Sequence, residues 1–92
     1  MIRTFRHRGL KRFYDRGDRS LVHSDRVDRI EDILARLDVA VTPSELDLPG
    51  YALHPLKGKL KGFWAIKVSG NWRIIFRLKD GDVFDVNLID YH

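Results

Sequence analysis

The sequence predicts an α+β fold in which two N-terminal helices pack on a small, antiparallel-dominated β-sheet. One stretch, residues 24–37, repeats apolar residues at helical spacing. Three later stretches, residues 63–68, 72–78 and 82–88, alternate apolar and polar residues as strands do. Because only three residues separate each of these strands from the next, they are expected to form hairpins. The 92 residues are interpreted as a single domain, 1–92.

Both helices precede the hairpins. Residues Ile2–Arg6 alternate as a half-buried strand would, and Gly9–Arg16 then has the pattern of a short basic helix that stops at Gly17. The second helix is expected to begin at a Ser24 cap and to end at Thr42-Pro43, because the residue before a proline disfavours the α region. Its apolar face comprises Val27, Ile30, Ile33, Leu34 and Leu37.

A short strand, Tyr51–His54, is expected to lead into a corner at Pro55, before a basic loop. The register of the later strands follows from their apolar faces, because three-residue loops would pair Ile74 with Ile66 on one side and with Val86 on the other. The third residue of each loop, Asn71 or Gly81, should then be left-handed. A two-residue second loop is rejected because it would pair an apolar side chain with an acidic one.

This register leaves a second sheet face that is basic and partly open. On it Lys67 stands opposite Arg73, and like charges directly opposed cost stability. The pair therefore calls for an anion, either Asp85 on the diagonal or a phosphate. The predicted face comprises Phe63, Ala65, Lys67, Arg73, Ile75, Arg77, Val83, Asp85, Asn87 and Tyr91.

Charge is distributed unevenly along the chain. The formal net charge is +4, with residues 1–16 at +5, residues 17–50 at −4 and residues 51–92 at +3. Two basic ends suggest a polyanion partner, although solubility alone would explain the same excess. The absence of cysteine excludes disulfides and thiolate metal sites. No apolar run approaches the ~20 residues of a membrane span, and a cytoplasmic location without membrane contact is expected.

Titratable and cationic groups concentrate around a stiff corner of the chain. His54 and Lys57 flank Pro55, and Arg73 follows at the start of a strand. His54 could move a proton near neutral pH, while Lys57 and Arg73 could hold a phosphate. Each has a plainer alternative: an idle histidine, a solvated lysine, and an arginine paired with Asp85.

Other catalytic signatures are missing. The chain has no glycine-rich phosphate loop before a helix, no histidine pair at metal-ligand spacing and no serine or cysteine nucleophile in a recognisable setting. His7 and His23 are interpreted as incidental. We therefore expect acid–base chemistry by His, Lys, Arg and Tyr, with no metal or cofactor. RNA suits such a set, because its 2′-hydroxyl can attack the adjacent phosphate while the protein moves protons and neutralises charge.

Four separated motifs resemble one protein family. They are Ile2-x-x-Phe5-x-His7-x-Gly9-Leu10, Leu53-His54-Pro55-Leu56-Lys57-Gly58, Ser69-Gly70-Asn71-Trp72-Arg73 and Asp90-Tyr91-His92. Together they resemble the HigB family of the RelE/ParE toxin superfamily over the full length. The resemblance implies a RelE-like fold and a type II toxin that cuts mRNA in the ribosomal A site without a metal. It also implies a helix-turn-helix antitoxin as partner, and contact with operator DNA only through the toxin–antitoxin complex.

The resemblance also places the family's catalytic set on this chain. His92 or His54 would be the general base toward the 2′-hydroxyl, and the other would help the 5′-oxygen leave. Lys57 and Arg73 would stabilise charge on the scissile phosphate, and Tyr91 would position the mRNA or stack on it. A merely solvated surface is the alternative for the cations expected to bind RNA and the ribosome, which are Arg6, Arg8, Lys11, Arg12, Lys59, Lys61, Lys67 and Arg77.

Two other functions suit the same fold. A ParE-like toxin would act by binding gyrase, and the complete His/Lys/Arg/Tyr/His set argues against that function. A non-catalytic RNA-binding module would need exposed aromatic residues on its strands. Here the strand aromatics other than Phe63 are predicted to face the core.

Overall fold

The computed structural model describes residues 1–91, in which two α-helices precede a four-stranded antiparallel sheet. The strands follow one another in space in the order β1-β2-β3-β4. This architecture confirms the predicted α+β class. The elements are α1 (Arg8–Arg16), α2 (Val27–Val39), β1 (His54–Pro55), β2 (Trp64–Ser69), β3 (Trp72–Lys79) and β4 (Asp82–Asp90).

The first helix is held at both ends by residues that its sequence supplies. At the N-terminus the Leu10 N–H donates to Nδ1 of His7 at 3.0 Å. At the C-terminus Gly17 adopts the left-handed conformation with φ 68°, as predicted. His7, interpreted as incidental to the chemistry, therefore has a structural role, because its imidazole caps α1. Burial lowers the pKa of His7, which favours the neutral ring that can accept this bond.

The second helix starts and stops differently from the prediction. Ser24 does not cap it but opens a 3₁₀ turn, Ser24–Arg26, in which the Asp25 N–H donates to Nδ1 of His23 at 3.2 Å. The helix ends at Val39, because the following residue is already extended, so Pro43 is not the stop and instead begins a 3₁₀ turn. The five predicted apolar positions are all buried.

Two extended segments are shorter than predicted. Ile2–Arg6 forms only isolated parallel bridges, from Ile2 to Val83 and from Phe5 to Val86, along the outer edge of β4. The first strand of the sheet is His54–Pro55 rather than Tyr51–His54. Among the described residues, no helix is long and apolar enough to cross a membrane.

The first hairpin confirms most of its predicted register. Ile66 pairs with Ile74, and Lys67 pairs with Arg73. The pairing then shifts by one residue, so that the loop shortens to residues 70–71. The left-handed residue is Gly70, with φ 53°, and not Asn71.

The second hairpin contradicts its predicted register. Its loop has two residues, 80–81, with φ of 51° and 80°, as hairpin turns of this length require. Ile74 pairs with Leu88 instead of Val86. A β-bulge opposite Phe76 takes up the extra residue, so Val86 and Leu88 stay on the helix-facing side as predicted. Phe84 was predicted to face the core, but it pairs with Arg77 and lies on the opposite side of the sheet. As a result Val83 is fully buried in the main core and not on the open face.

The sheet has an apolar cluster on each face. The helix-facing face and the two helices form the main core, around Ile74 and Phe76. The opposite face, which we call the second face, carries His54, Ala65, Ile75 and Asn87 in one row. There Leu56, Phe63, Ala65 and Ile75 are buried together, with Leu60 and Ile89 half-buried against them. The predicted open, basic face is thus wrong in its middle, which is apolar and covered.

Candidate active site

The corner after β1 fixes the positions of His54 and Lys57. His54 pairs with Ala65 and so lies on the second face, with its Nδ1 3.0 Å from the carbonyl oxygen of Ala52. Leu56 is only 5% exposed, and its N–H donates to the Phe63 carbonyl at 2.9 Å. This anchor holds the backbone immediately before Lys57, whose side chain is exposed.

Arg73 is held on the second face by neutral groups. Its Nη1 donates to the carbonyl oxygens of Gly70 at 2.7 Å and of Trp72 at 3.0 Å. Its Nε is buried and has no hydrogen-bond partner among residues 1–91. Carbonyl oxygens orient a guanidinium without cancelling its charge. Arg73 therefore keeps a positive charge and a free donor in a half-buried position.

The alternative role for Arg73, an ion pair with Asp85, is wrong. Asp85 accepts from Nε of Arg77 at 2.8 Å and lies 3.7 Å from Nε of Arg6. Within the described part of the chain, the ion pairs include neither Arg73 nor Lys67. The two opposed cations therefore have no carboxylate between them there, which suits the binding of an anion.

Tyr91, which follows β4, lies close to His54 of β1. Its N–H donates to the Asn71 carbonyl at 2.8 Å, so the chain continues along β3 after β4 ends. Its ring centroid lies 6.3 Å from that of His54, with the planes at 54°. The structure therefore brings together two predicted site residues that are far apart in the sequence. His92, the other predicted terminal residue, lies outside the described residues.

The predicted RNA-binding cations divide between the two layers. Arg6 and Arg77 stand over the Phe63 ring on the second face, at 5.1 and 5.9 Å from its centroid. Lys59 and Lys61 are exposed in the turn next to this face. The cations of α1 belong to the helical layer and do not join the His54 corner; they are Arg8, Lys11 and Arg12.

The sequence did not predict that Asp85 would join Arg6 and Arg77 around Phe63. The bulge that places Asp85 there has no marker residue such as glycine, so no signal in the sequence indicated it. Among residues 1–91, no group of three His, Asp or Glu side chains is close enough to hold a metal ion.

A groove of about 290 Å³ lies between the helices, lined in part by Phe13, Tyr14, Leu34 and Asp38. In it the Tyr14 hydroxyl donates to Asp38 at 2.6 Å, a bond that raises the pKa of Tyr14 to about 12 and lowers that of Asp38. Asp38 also accepts from the Ile2 N–H. These bonds tie the helices to the N-terminal segment, and the groove lies on the helical side of the sheet, away from His54.

Comparison with known proteins identifies the family. A family model described as "RelE-like toxin of type II toxin-antitoxin system HigB" matches residues 3–92. Endoribonuclease HigB of Proteus vulgaris is 46% identical over 92 residues, which span all of both chains. Toxin HigB-1 of Vibrio cholerae serotype O1 is 34% identical over 83 residues, which span 88% of this chain and 87% of that protein.

Solved structures agree with the fold. A YafQ mutant from E. coli superposes with a TM-score of 0.62 at 22% identity, covering 96% of this chain and 89% of the other. The YoeB-YefM complex from Staphylococcus aureus gives a TM-score of 0.59 at 18% identity, covering 100% and 95%. At such identities the likeness concerns the fold alone.

Proposed function

The chain belongs to the HigB-like family of RelE-like toxins from type II toxin–antitoxin systems, and we propose that it is an endoribonuclease that cuts mRNA in the ribosomal A site. The observation that carries the proposal is the meeting of the His54 and Tyr91 rings on the face that also holds Arg73. A titratable ring, an aromatic hydroxyl and a cation that has no carboxylate partner among residues 1–91 suit proton transfer beside a phosphate. The Proteus vulgaris relative, 46% identical, is named as an endoribonuclease.

The reaction needs only groups that RNA and the protein supply. The 2′-oxygen of RNA attacks the adjacent phosphorus as its proton leaves to a base, and the bond from phosphorus to the 5′-oxygen breaks. The products are a 2′,3′-cyclic phosphate and a 5′-hydroxyl. His54 or His92 takes the first proton, and the other donates a proton to the departing 5′-oxygen.

The cations stabilise the extra charge that the phosphate acquires in the transition state. Arg73 is already oriented by two carbonyl oxygens, so it can present its remaining donors to the phosphate without further ordering. Lys57, exposed at the anchored corner, adds a second positive charge. Tyr91 holds a nucleotide in place beside His54.

The proposal also names partners and a location. A type II toxin has an antitoxin, for which we propose a helix-turn-helix protein. Operator DNA would be contacted only through the toxin–antitoxin complex. The toxin would meet the ribosome and its mRNA in the cytoplasm.

The proposal is tested by incubating the purified toxin with an mRNA that is either free or positioned on ribosomes. The new 5′ ends of the mRNA are then mapped. We expect cuts within the A-site codon of ribosome-bound mRNA and none in free mRNA. Tyr91→Phe should cut more slowly, whereas Tyr14→Phe, in the groove between the helices, should cut as the wild type does. Equal cutting of free mRNA would exclude ribosome dependence, and intact mRNA on ribosomes would exclude the proposed activity.

A further inference from the structure

One charged cluster on the second face is built from residues that are distant in the sequence. We call Arg6, Phe63, Arg77 and Asp85 the arginine clamp. The Asp85 carboxylate lies between the two guanidinium groups, at 2.8 Å from Nε and Nη2 of Arg77 and 3.7 Å from Nε of Arg6. Both guanidinium groups also stand over the Phe63 ring, which is only 6% exposed.

The backbone is strained at Asp85, where the side chain meets the two arginines. Asp85 belongs to the bulge opposite Phe76 and has φ 57°, a left-handed conformation that is uncommon outside glycine. Its N–H donates to the Thr4 hydroxyl at 2.8 Å, which fixes the conformation. Bulges often redirect a side chain beside a functional site, and local strain at such positions points to a function.

The clamp keeps free donors and a net positive charge. The Arg6 and Arg77 side chains are 53% and 48% exposed, whereas Asp85 is 22% exposed. One carboxylate cannot neutralise two guanidinium groups, each of which carries five N–H donors in a planar fork. Stacking and ion pairing hold both arginines in place, so their outer N–H groups are ready to bind without loss of side-chain entropy.

The clamp and the candidate active site lie on the same face. Arg77 is four residues along β3 from Arg73, a distance of about 13 Å. Side chains at this even spacing point to the same side of the sheet. A polyanion that reaches Arg73 can therefore run along the face to the clamp.

We propose that Asp85 is a positioning residue that holds Arg6 and Arg77 on Phe63 as a paired binding site for the phosphodiester backbone of RNA. The proposal rests on the proposed function, from which RNA follows as the ligand, and adds to it a site at a distance from the reacting phosphate. Asp85 acts through the two arginines and touches no phosphate itself. The RNA strand could be the mRNA or ribosomal RNA, which share this backbone.

The direction in which one substitution changes RNA affinity distinguishes a positioning role of Asp85 from an effect of net charge. Asp85→Asn removes a negative charge, and Asn tolerates the left-handed conformation as well as Asp does. If the surface binds RNA through net charge alone, the substitution tightens binding. If Asp85 positions the arginines, binding weakens although the protein has become more basic.

Asp82→Asn is the matched control. Asp82 also lies in β4 and pairs with an arginine of the N-terminal segment, Arg3 at 3.2 Å, but it belongs to no aromatic contact. Its side chain is 29% exposed, close to the value for Asp85. Both substitutions therefore remove one negative charge and take a carboxylate away from two cationic groups, which are Arg6 and Arg77 for Asp85 and Arg3 and the N-terminal ammonium for Asp82.

The experiment measures the affinity of purified wild-type and variant toxin for a short fluorescent oligouridine and for ribosomes without mRNA, across a series of KCl concentrations. For Asp85→Asn we expect about threefold weaker binding to at least one of the two. Asp82→Asn should bind equally or more tightly. The double variant Arg6→Gln, Arg77→Gln should flatten the salt dependence on oligouridine by about 1.4 in log–log slope, because each lost phosphate contact contributes about 0.7.

The outcomes are distinct. Weaker binding of Asp85→Asn to oligouridine supports the clamp on the mRNA strand, and weaker binding to ribosomes alone supports it on ribosomal RNA. The proposal is overturned if Asp85→Asn binds both oligouridine and ribosomes as tightly as Asp82→Asn does, or more tightly. A purely structural role of Asp85 would lower the melting temperature, but the folded fraction of Asp85→Asn would then bind as Asp82→Asn does, which also overturns the proposal. Failure of mRNA cleavage by the wild type would remove the proposed function without deciding the result of this binding comparison.

Discussion

The two faces of the sheet use their side chains for different purposes. The helix-facing face is continuous with the buried apolar surfaces of α1 and α2, and Ile66, Ile74 and Phe76 are fully buried there. The second face has a much smaller apolar cluster, around Ile75, and it is surrounded by cations and titratable groups. Burial on the helix-facing face supplies most of the stability, while the second face carries the residues that we propose as catalytic.

The small apolar cluster of the second face positions the polar groups beside it. Leu56 anchors the corner that carries Lys57, and Phe63 supports the arginines of the clamp. Arg73, in contrast, is held by carbonyl oxygens, and its buried Nε has no hydrogen-bond partner among the described residues. A small domain can thus devote one face of a sheet to stability and use the other face to hold charged groups in place.

The largest effect is expected at the corner of the second face. In the proposed mechanism His54 moves a proton, so replacing it with alanine should lower the cleavage rate on ribosome-bound mRNA by roughly 10²–10⁴-fold. The melting temperature should change little, because the ring is half-exposed. His23→Ala, at an exposed 3₁₀ turn, is the control and should cut normally. Wild-type rates for His54→Ala would refute its catalytic role.

A pair of neighbouring isoleucines compares the stability of the two faces directly. Ile74 is 0% exposed in the main core, and Ile75 is 1% exposed in the smaller cluster. Truncation of a buried isoleucine to alanine costs about 2–5 kcal/mol, and more where the surroundings cannot collapse into the cavity. We expect Ile74→Ala to lie near the upper end and Ile75→Ala near the lower end in denaturant unfolding. An equal or reversed order would contradict the division between the faces.

The helical layer should be sensitive to added volume at Gly9. A Cβ there would lie 2.8 Å from Cβ of Leu21 and 2.9 Å from its carbonyl oxygen. Gly9→Ala should therefore lower the free energy of unfolding by about 1–3 kcal/mol through overpacking, although alanine favours helix by about 1 kcal/mol. Thermal unfolding of the variant measures this balance. A more stable variant would show that the close contact between α1 and Leu21 is not rigid.

The smallest effect is a pH dependence at the start of α1. Burial lowers the pKa of His7 below its ordinary 6.5, so the unfolded chain takes up a proton that the folded chain resists. The stability that comes from the neutral imidazole is complete above pH ~6.5 and falls as the pH drops toward the lower pKa of the folded protein. His7→Asn keeps a cap that does not titrate and should reduce this loss. Melting temperatures of the wild type and of His7→Asn at about pH 7.5 and about pH 5.5 measure the difference. If the melting temperature falls equally in both proteins, the pH dependence does not come from His7.

The helices and strands were predicted better from the sequence than the register between strands or the packing of the turns. Helical spacing located the buried face of α2, because a 3.6-residue period leaves little choice of side. The segment from Val83 to Leu88 was ambiguous, because its apolar residues suit either register if a bulge intervenes. The second apolar cluster was not predicted, because Leu56 and Leu60 come from a turn whose packing depends on the folded sheet.

The same limit applies to the site. Motifs indicated His54, Arg73 and Tyr91, and the structure places the first and last of these in ring contact. The partner of Asp85 could not be predicted without the true register, since Arg73 and Arg77 lie on the same side of β3. The proximity of Arg6 to Phe63 depends on the N-terminal segment pairing in parallel with β4, which the sequence pattern does not specify.

The most direct test of the account is the single-turnover cleavage rate of Arg73→Gln on ribosome-bound mRNA, measured with its free energy of unfolding. Gln retains a side-chain donor but removes the positive charge of Arg73, which has no carboxylate partner within residues 1–91. We expect the rate to fall about 100-fold or more, with the free energy of unfolding within about 1 kcal/mol of the wild type. A rate close to that of the wild type would contradict the account, because the second face would then not contribute its charge to the reaction.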